Sequence, residues 1–303
     1  MMNKRSLFSV HLPQNPIFIV GYPRSGTTLL QRLLVTQLNL YSFPETHYFS
    51  VIEKHMQFDR KDSINPYCLD TVFEKIYEKM SFRFTSKQIR AVYRKAENKQ
   101  LTSKTFFEII VARFLSKQGL DMMAYRDFRW IEKTPTHANY LERIVEFYPG
   151  SQILHILRHP VPAIFSRKLK FPFNRETPVD KLAQHWNSLS QNVERFKEKF
   201  PNYIHTLKYE DLISDMEKGL QTVSKFLNIV FNFALISGTE KETREQLSEP
   251  FILPSEIWKL EDRNQWVTNT NEYYKSVISR TEAETIEKIV EKNMKHYGYR
   301  HFF

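Results

Sequence analysis

The sequence predicts an α/β fold: a P-loop-type parallel β-sheet flanked by helices, with a helical insertion after the first β-α unit. Three stretches carry that expectation. Ile17 to Val20 is an unbroken apolar run ending at Gly21, and Gly26 opens a stretch in which Leu29, Leu30, Leu33 and Leu34 recur at helical spacing. That pattern reads strand, tight loop, helix. A second apolar run, Ile153 to Leu157, meets Arg158 and then Pro160 and Pro162. Those prolines start a helix, because its first turn has no N–H partners to lose. A third strand is read over Tyr203 to Leu212, followed by helix from 215 to 228. Strands alternating with helices in this way form a parallel sheet with right-handed crossovers, and such sheets bind ligands along their carboxyl ends.

The chain has 303 residues, with 41% hydrophobic content, 24 Phe and 15 Tyr, ample for a core. Length alone admits one domain or two. We read residues 1–303 as a single domain, with 57–127 as the helical insertion and a lid over the acceptor. The net charge of +10 comes from scattered Lys and Arg, not from long runs. It suits a polyanionic small molecule as well as nucleic acid or a membrane surface. One cysteine, Cys68, rules out an intrachain disulfide and a Cys-based zinc cluster, and fits a reducing compartment. No apolar run reaches the roughly 18 residues of a membrane span. The first ten residues are basic but carry too short an apolar run for a signal peptide, so a cytoplasmic protein is expected.

The loop after the first strand presents backbone N–H groups and a helix N-terminus at one point, a ready site for a phosphate-like anion. The spacing Gly21-x4-Gly26 matches the opening of the nucleotide-binding P-loop, but Thr27 stands where a nucleoside triphosphatase needs Lys. The cation, Arg24, lies inside the loop instead. Thr28 remains, yet no Asp ends a later strand as a magnesium partner would. A doubly anionic group bound without a metal is the expectation.

The decapeptide from Gly21 to Leu30, Gly-Tyr-Pro-Arg-Ser-Gly-Thr-Thr-Leu-Leu, resembles the 5′-phosphosulfate loop of sulfotransferases that use 3′-phosphoadenosine-5′-phosphosulfate (PAPS). The resemblance implies that Arg24, Ser25, Gly26, Thr27 and Thr28 hold the phosphosulfate. The polar-aromatic segment Tyr41 to Phe49 should then leave the sheet beside this loop. Its Pro44-Glu45-Thr46 is similar to the segment bearing the general base in the branch that includes the tyrosylprotein sulfotransferases, which implies that role for Glu45. His47 is the alternative, since histidine needs no pKa shift for the task. A surface ion pair or a cap for helix from Thr46 onward would also explain Glu45.

Within 57–127, Val72, Phe73, Ile76, Tyr77 and Met80 form one helical stripe, while Phe106, Phe107, Ile109, Ile110, Phe114 and Leu115 mark another helix. Gly119 is its expected C-cap. A short strand over Arg129 to Lys133 follows. Glu132-Lys133-Thr134-Pro135 resembles a segment of the same branch in which the Lys sits at the sulfuryl group, where a cation stabilises charge developing on the leaving oxygen. An exposed Lys at a strand end is the plain alternative. His137 reads either as a group behind the site or as an N-terminal helix residue.

Arg158 and Ser166, eight residues apart across a strand–helix unit, resemble the 3′-phosphate motif, with the guanidinium as clamp and the hydroxyl as donor. The planar fork of Arg suits bidentate pairing with phosphate. Val179 to Phe200 is a long amphipathic helix in which His185 and Trp186 read as packing residues. Tyr209-Glu210-Asp211-Leu212 resembles a segment whose Tyr lies near the adenine or its phosphates; equally, Tyr209 packs and the two acids cap the next helix. The resemblance further nominates Arg263 from a late basic loop, and Trp258 and Trp266 could stack on adenine or fill the core. An amphipathic helix from Thr281 to His296 ends at Gly298.

These segments lead to a PAPS-dependent sulfotransferase, with PAPS as donor and 3′-phosphoadenosine-5′-phosphate (PAP) as product. A small-molecule, glycan, lipid or peptide acceptor is expected, taking the sulfuryl group on a hydroxyl or an amine. Glu45, Arg24 and Lys133 would be catalytic; Arg24, Ser25, Gly26, Thr27, Thr28, Arg158, Ser166, Tyr209 and Arg263 would bind the donor, with no metal. Two other classes stand beside it. A P-loop kinase shares the strand–loop–helix but lacks the Lys, and a nucleic-acid-binding protein would use the charge but has no recognised motif or dense basic stripe.

Overall fold

The computed structural model describes residues 12–37, 39–56, 62–80, 84–117, 128–233 and 271–303. Gly119, Trp258, Arg263 and Trp266 lie outside the described residues. Five parallel strands make one sheet in the order β2-β3-β1-β4-β5. They are β1 (Ile17–Gly21), β2 (Leu40–Ser42), β3 (Arg129–Lys133), β4 (Gln152–Leu157) and β5 (Ile204–Lys208). β1 is central, with Ile19 opposite Lys133 of β3 and Leu154 of β4. All strands run the same way, so their carboxyl ends share one edge.

The apolar runs are continuous because both sheet faces are covered. Ile17, Ile19 and Ile131 face helices α1 (Thr27–Val35), α9 (Tyr209–Ser214) and α10 (Met216–Leu227). Phe18, Val20 and Trp130 face the larger core. That core contains side chains of α6 (Leu141–Phe147), α7 (Pro160–Lys170), α8 (Val179–Lys199) and the terminal α12 (Arg280–His296). It also takes in α2 (Tyr48–His55) and the insertion helices α3 (Leu69–Met80), α4 (Ser86–Glu97) and α5 (Ser103–Lys117). A short helix, α11 (Asn271–Val277), precedes α12. Trp186 is fully buried among these side chains, as a packing residue should be.

Three details differ from the sequence reading. Leu40–Ser42 is an edge strand paired with β3, so the chain joins the sheet once more before the helical insertion. Three residues are too few to show a period, and only the pairing makes them a strand. The strand read to Leu212 stops at Lys208. Tyr209 starts α9, with Glu210 and Asp211 in its first turn, where acidic groups favour the helix N-terminus. Finally, Tyr77 leaves the α3 stripe and is 42% exposed, while Val72 and Ile76 are buried.

Within β4, His155 is buried, its Nδ1 3.3 Å from Thr206 Oγ1 on β5. Burial pushes its pKa down from 6.5 to about 4. A depressed histidine stays neutral when folded while the unfolded chain takes up a proton. Its contribution is therefore intact above pH 6.5 and lost as pH falls from 6.5 to 4. His155→Gln should flatten the fall in unfolding free energy across that window by up to about 1.4 kcal/mol per pH unit, measured by denaturant titration at several pH values. Parallel curves for the two proteins would contradict the assignment.

Candidate functional site at the carboxyl edge of the sheet

The loop between β1 and α1 is built around two glycines. A Cβ on Gly21 would stand 2.4 Å from the Ile156 carbonyl oxygen, so only glycine lets β1 and β4 approach there. Gly26 has φ of 97°, and a Cβ there would lie 2.5 Å from Tyr209 Cδ2. Between them Arg24 adopts φ of 75°, a conformation costly for a side chain other than glycine's, and Ser25 N donates to Tyr22 O at 3.1 Å. Gly26 is the N-cap of α1, so no side chain caps that helix, and its first turn has no acidic residue. Among the described residues no side chain caps the positive end of α1, an arrangement that suits an anion. The buried Ser25 Oγ has no hydrogen-bond partner among the described residues.

On the β4 side, Arg158 is 6% exposed and donates from Nη1 to the Arg24 carbonyl at 3.1 Å. Its guanidinium lies 4.5 Å over the Tyr209 ring and 5.7 Å from the ring of Tyr274 on α11. Arg24 Nε in turn donates to Ser166 Oγ, 3.1 Å away on α7. Arg24, Arg158, Ser166 and Tyr209 therefore meet at one place, although 185 residues separate Arg24 from Tyr209. Burial pushes the Tyr209 phenol up, against the pull of Arg158, so the ring stays neutral. Glu210 ties this corner down by accepting from His159 N at 2.9 Å and from Tyr299 Oη at 2.9 Å. His159 caps α7, accepting at Nδ1 from Val161 N at 3.3 Å while Nε2 faces the Arg300 carbonyl at 2.9 Å. That pair of contacts sets the neutral tautomer with the proton on Nε2.

On the β3 side, Lys133 is 2% exposed and its ammonium pairs with Glu45 Oε1. It is thus a buried cation and not the exposed strand-end Lys of the plain alternative, and a cation so buried demands a partner. His47 Nε2 lies 3.4 Å from the other Glu45 oxygen, so both base candidates occupy the same spot. His47 also begins α2 with φ of 49°. Glu45 is neither a surface pair nor the cap of that helix.

Four buried residues escaped attention as a group. Glu132 and His137 are fully buried, 2.9 Å apart at Oε2 and Nδ1. Glu132 Oε1 also accepts from Thr46 Oγ1 at 2.8 Å and Thr134 Oγ1 at 2.6 Å. Burial alone would raise its pKa, but His137 and these three hydrogen bonds outweigh it and hold the carboxylate below its ordinary value. His137 sits in a short 3-10 helix, Pro135–Asn139, and belongs to the group behind the site. The signal was present in Glu132, Thr134 and His137, three of the five polar residues in positions 132–137, at the end of a strand read as buried.

A profile of the Sulfotransferase family matches residues 16–232, which span every element described at this edge except Tyr274 and the tail. The chain belongs to the sulfotransferase family. Among curated relatives, an ω-hydroxy-β-dihydromenaquinone-9 sulfotransferase of Mycobacterium bovis is 25% identical over 249 residues, 71% of this sulfotransferase-family chain and 63% of that protein. An uncharacterised protein of Aquifex aeolicus is 20% identical over 93% of this chain and 35% of its own length. The chain thus spans between about one third and two thirds of these relatives. The sulfotransferase domain of the curacin biosynthetic pathway has the same fold, with TM-score 0.54, 20% identity, and coverage of 96% of this chain and 99% of that one. A mouse sulfotransferase solved with PAP gives TM-score 0.51 at 14% identity, covering 97% and 91%.

Gly26 and Gly298 separate crowding from backbone preference, since Gly298 also has positive φ (67°) but its added Cβ would meet only Lys208 Nζ at 3.8 Å. Gly26→Ala should cost about 2–3 kcal/mol of stability and Gly298→Ala about 1 kcal/mol, by urea unfolding. Equal costs would mean that Tyr209 does not press on the loop.

Proposed function

We propose that this chain is a PAPS-dependent sulfotransferase that moves a sulfuryl group to an acceptor hydroxyl. The observation that carries the proposal is the direct contact between the two anion sites. Arg24 of the β1 loop touches Ser166, and Arg158, just past β4, touches the Arg24 carbonyl, so a ligand with two phosphate-like ends is met by one continuous cationic surface. The uncapped helix N-terminus and the unpartnered Ser25 hydroxyl suit the sulfated end. Family membership and the PAP bound in a mouse relative with this fold support the same donor.

In this reading the loop amides of residues 25–28 and the Thr27 and Thr28 hydroxyls hold the phosphosulfate, and Arg158 with Ser166 holds the 3′-phosphate. Tyr209 backs the Arg158 guanidinium. When bound, the donor supplies a sulfur–oxygen bond to phosphate that breaks as the bond from sulfur to the acceptor oxygen forms. Glu45 takes the proton from that hydroxyl, and Lys133 and Arg24 stabilise the negative charge left on the phosphate oxygen. The named substrate of the mycobacterial relative is a hydroxylated one, which favours an alcohol over an amine acceptor here; small-molecule, glycan, lipid and peptide alcohols all fit.

Calorimetry with PAP, and separately with magnesium and ATP, tests the donor site. PAP should bind without metal, and Arg158→Ala should weaken it roughly 30- to 100-fold, the worth of one or two charge-assisted hydrogen bonds. Firm magnesium–ATP binding with no PAP binding would replace the sulfotransferase with a kinase. Glu45→Gln, chosen to keep a polar partner beside Lys133, should lower transfer of labelled sulfate from PAPS to a panel of alcohols and phenols by about 10²- to 10⁴-fold. Turnover near wild type would remove Glu45 as the base.

A further inference from the structure

At the end of β3, alternation sends Glu132 to the face of Trp130 and Lys133 to the face of Ile131. The dipeptide Glu45-Thr46 meets this pair in the complementary sense. Glu45 pairs with Lys133, while Thr46 Oγ1 donates to Glu132 Oε1 at 2.8 Å. The geometry points to a two-point clamp in which Glu132, through Thr46 and Thr134, is a positioning residue for Glu45. This rests on the reading of Glu45 as the base.

The hydrogen-bond directions give the clamp its polarity. Thr134 spends its one proton on Glu132, at 2.6 Å, and its oxygen then accepts from Thr46 N at 3.1 Å and His47 N at 3.3 Å. Thr46 Oγ1 likewise donates to Glu132 and accepts from Tyr48 N at 3.3 Å, where α2 begins. His137 Nδ1 holds the second Glu132 oxygen. Every one of these bonds runs toward a single carboxylate, and Thr46, Glu132, Thr134 and His137 are all 0% exposed. Two consecutive backbone amides next to Glu45 are therefore fixed by a group that never faces the acceptor. Holding the backbone leaves Glu45 only its side-chain rotations, and the Lys133 pair selects among those. A base positioned this way needs no ordering when the acceptor arrives.

Thr46→Val is nearly isosteric and removes only the hydroxyl; Thr46→Ser restores it. Three readouts separate positioning from general damage. Hydrogen exchange of the amides in residues 45–48 needs neither donor nor acceptor, and should rise about tenfold or more in Thr46→Val with the rest of the chain unchanged. PAP affinity should stay within about twofold of wild type. Release of sulfate from PAPS without added acceptor, with water in its place, should fall about tenfold and return to within about threefold of wild type in Thr46→Ser. Unchanged exchange at 45–48 in Thr46→Val would overturn the clamp, as would a loss of turnover matched by an equal loss of PAP affinity. Failure of wild type to bind PAP would instead overturn the donor reading, leaving the exchange result to decide the clamp.

Discussion

The site depends on one constraint, the central position of β1 between two parallel neighbours. Because β3 and β4 both pair with it in the same direction, their carboxyl ends flank the loop that β1 feeds. Gly21 makes the pairing possible by letting the Ile156 carbonyl approach closer than any side chain allows. Lys133 then arrives from one side and Arg158 from the other. Neither residue needs a loop of its own to reach the site, since each is the last residue of its strand or the next one along.

The second consequence is the management of buried charge. Lys133, Arg158 and Glu132 are all nearly or fully removed from water, a costly condition unless each is matched. Lys133 has Glu45, Glu132 has His137 with two hydroxyls, and Arg158 has the Arg24 carbonyl and the Tyr209 face. The pairs divide by task. The Glu132 group lies in the buried interior and organises backbone, whereas Arg24 and Arg158 meet beside the N-terminus of α1, whose first turn holds no acidic residue.

The terminal segment has a part in this arrangement that its sequence does not announce. Tyr299 and the Arg300 carbonyl fasten Glu210 and His159, the residues adjoining Tyr209 and Arg158. Glu287 of α12 holds the Phe302 amide at 2.7 Å, which keeps the tail in place. The Arg158–Tyr209 corner is thus braced by residues 299–302.

By itself the sequence determined what is local: the β1–loop–α1 and β4–α7 units, the departure of Thr27 from the P-loop pattern, and the spacing of Arg158 and Ser166. Such features follow from periodicity, glycine geometry and proline placement within some twenty residues, and they were legible for that reason. Tertiary structure alone decided that Leu40–Ser42 is a strand, that α9 begins at Tyr209, and that Lys133 is buried. It alone joined Glu45 to Lys133 and Thr46 to Glu132, across 88 and 86 positions of sequence. No local pattern records such a pairing, because what fixes it is the order β2-β3-β1-β4, and strand order is settled only when both faces of the sheet are packed.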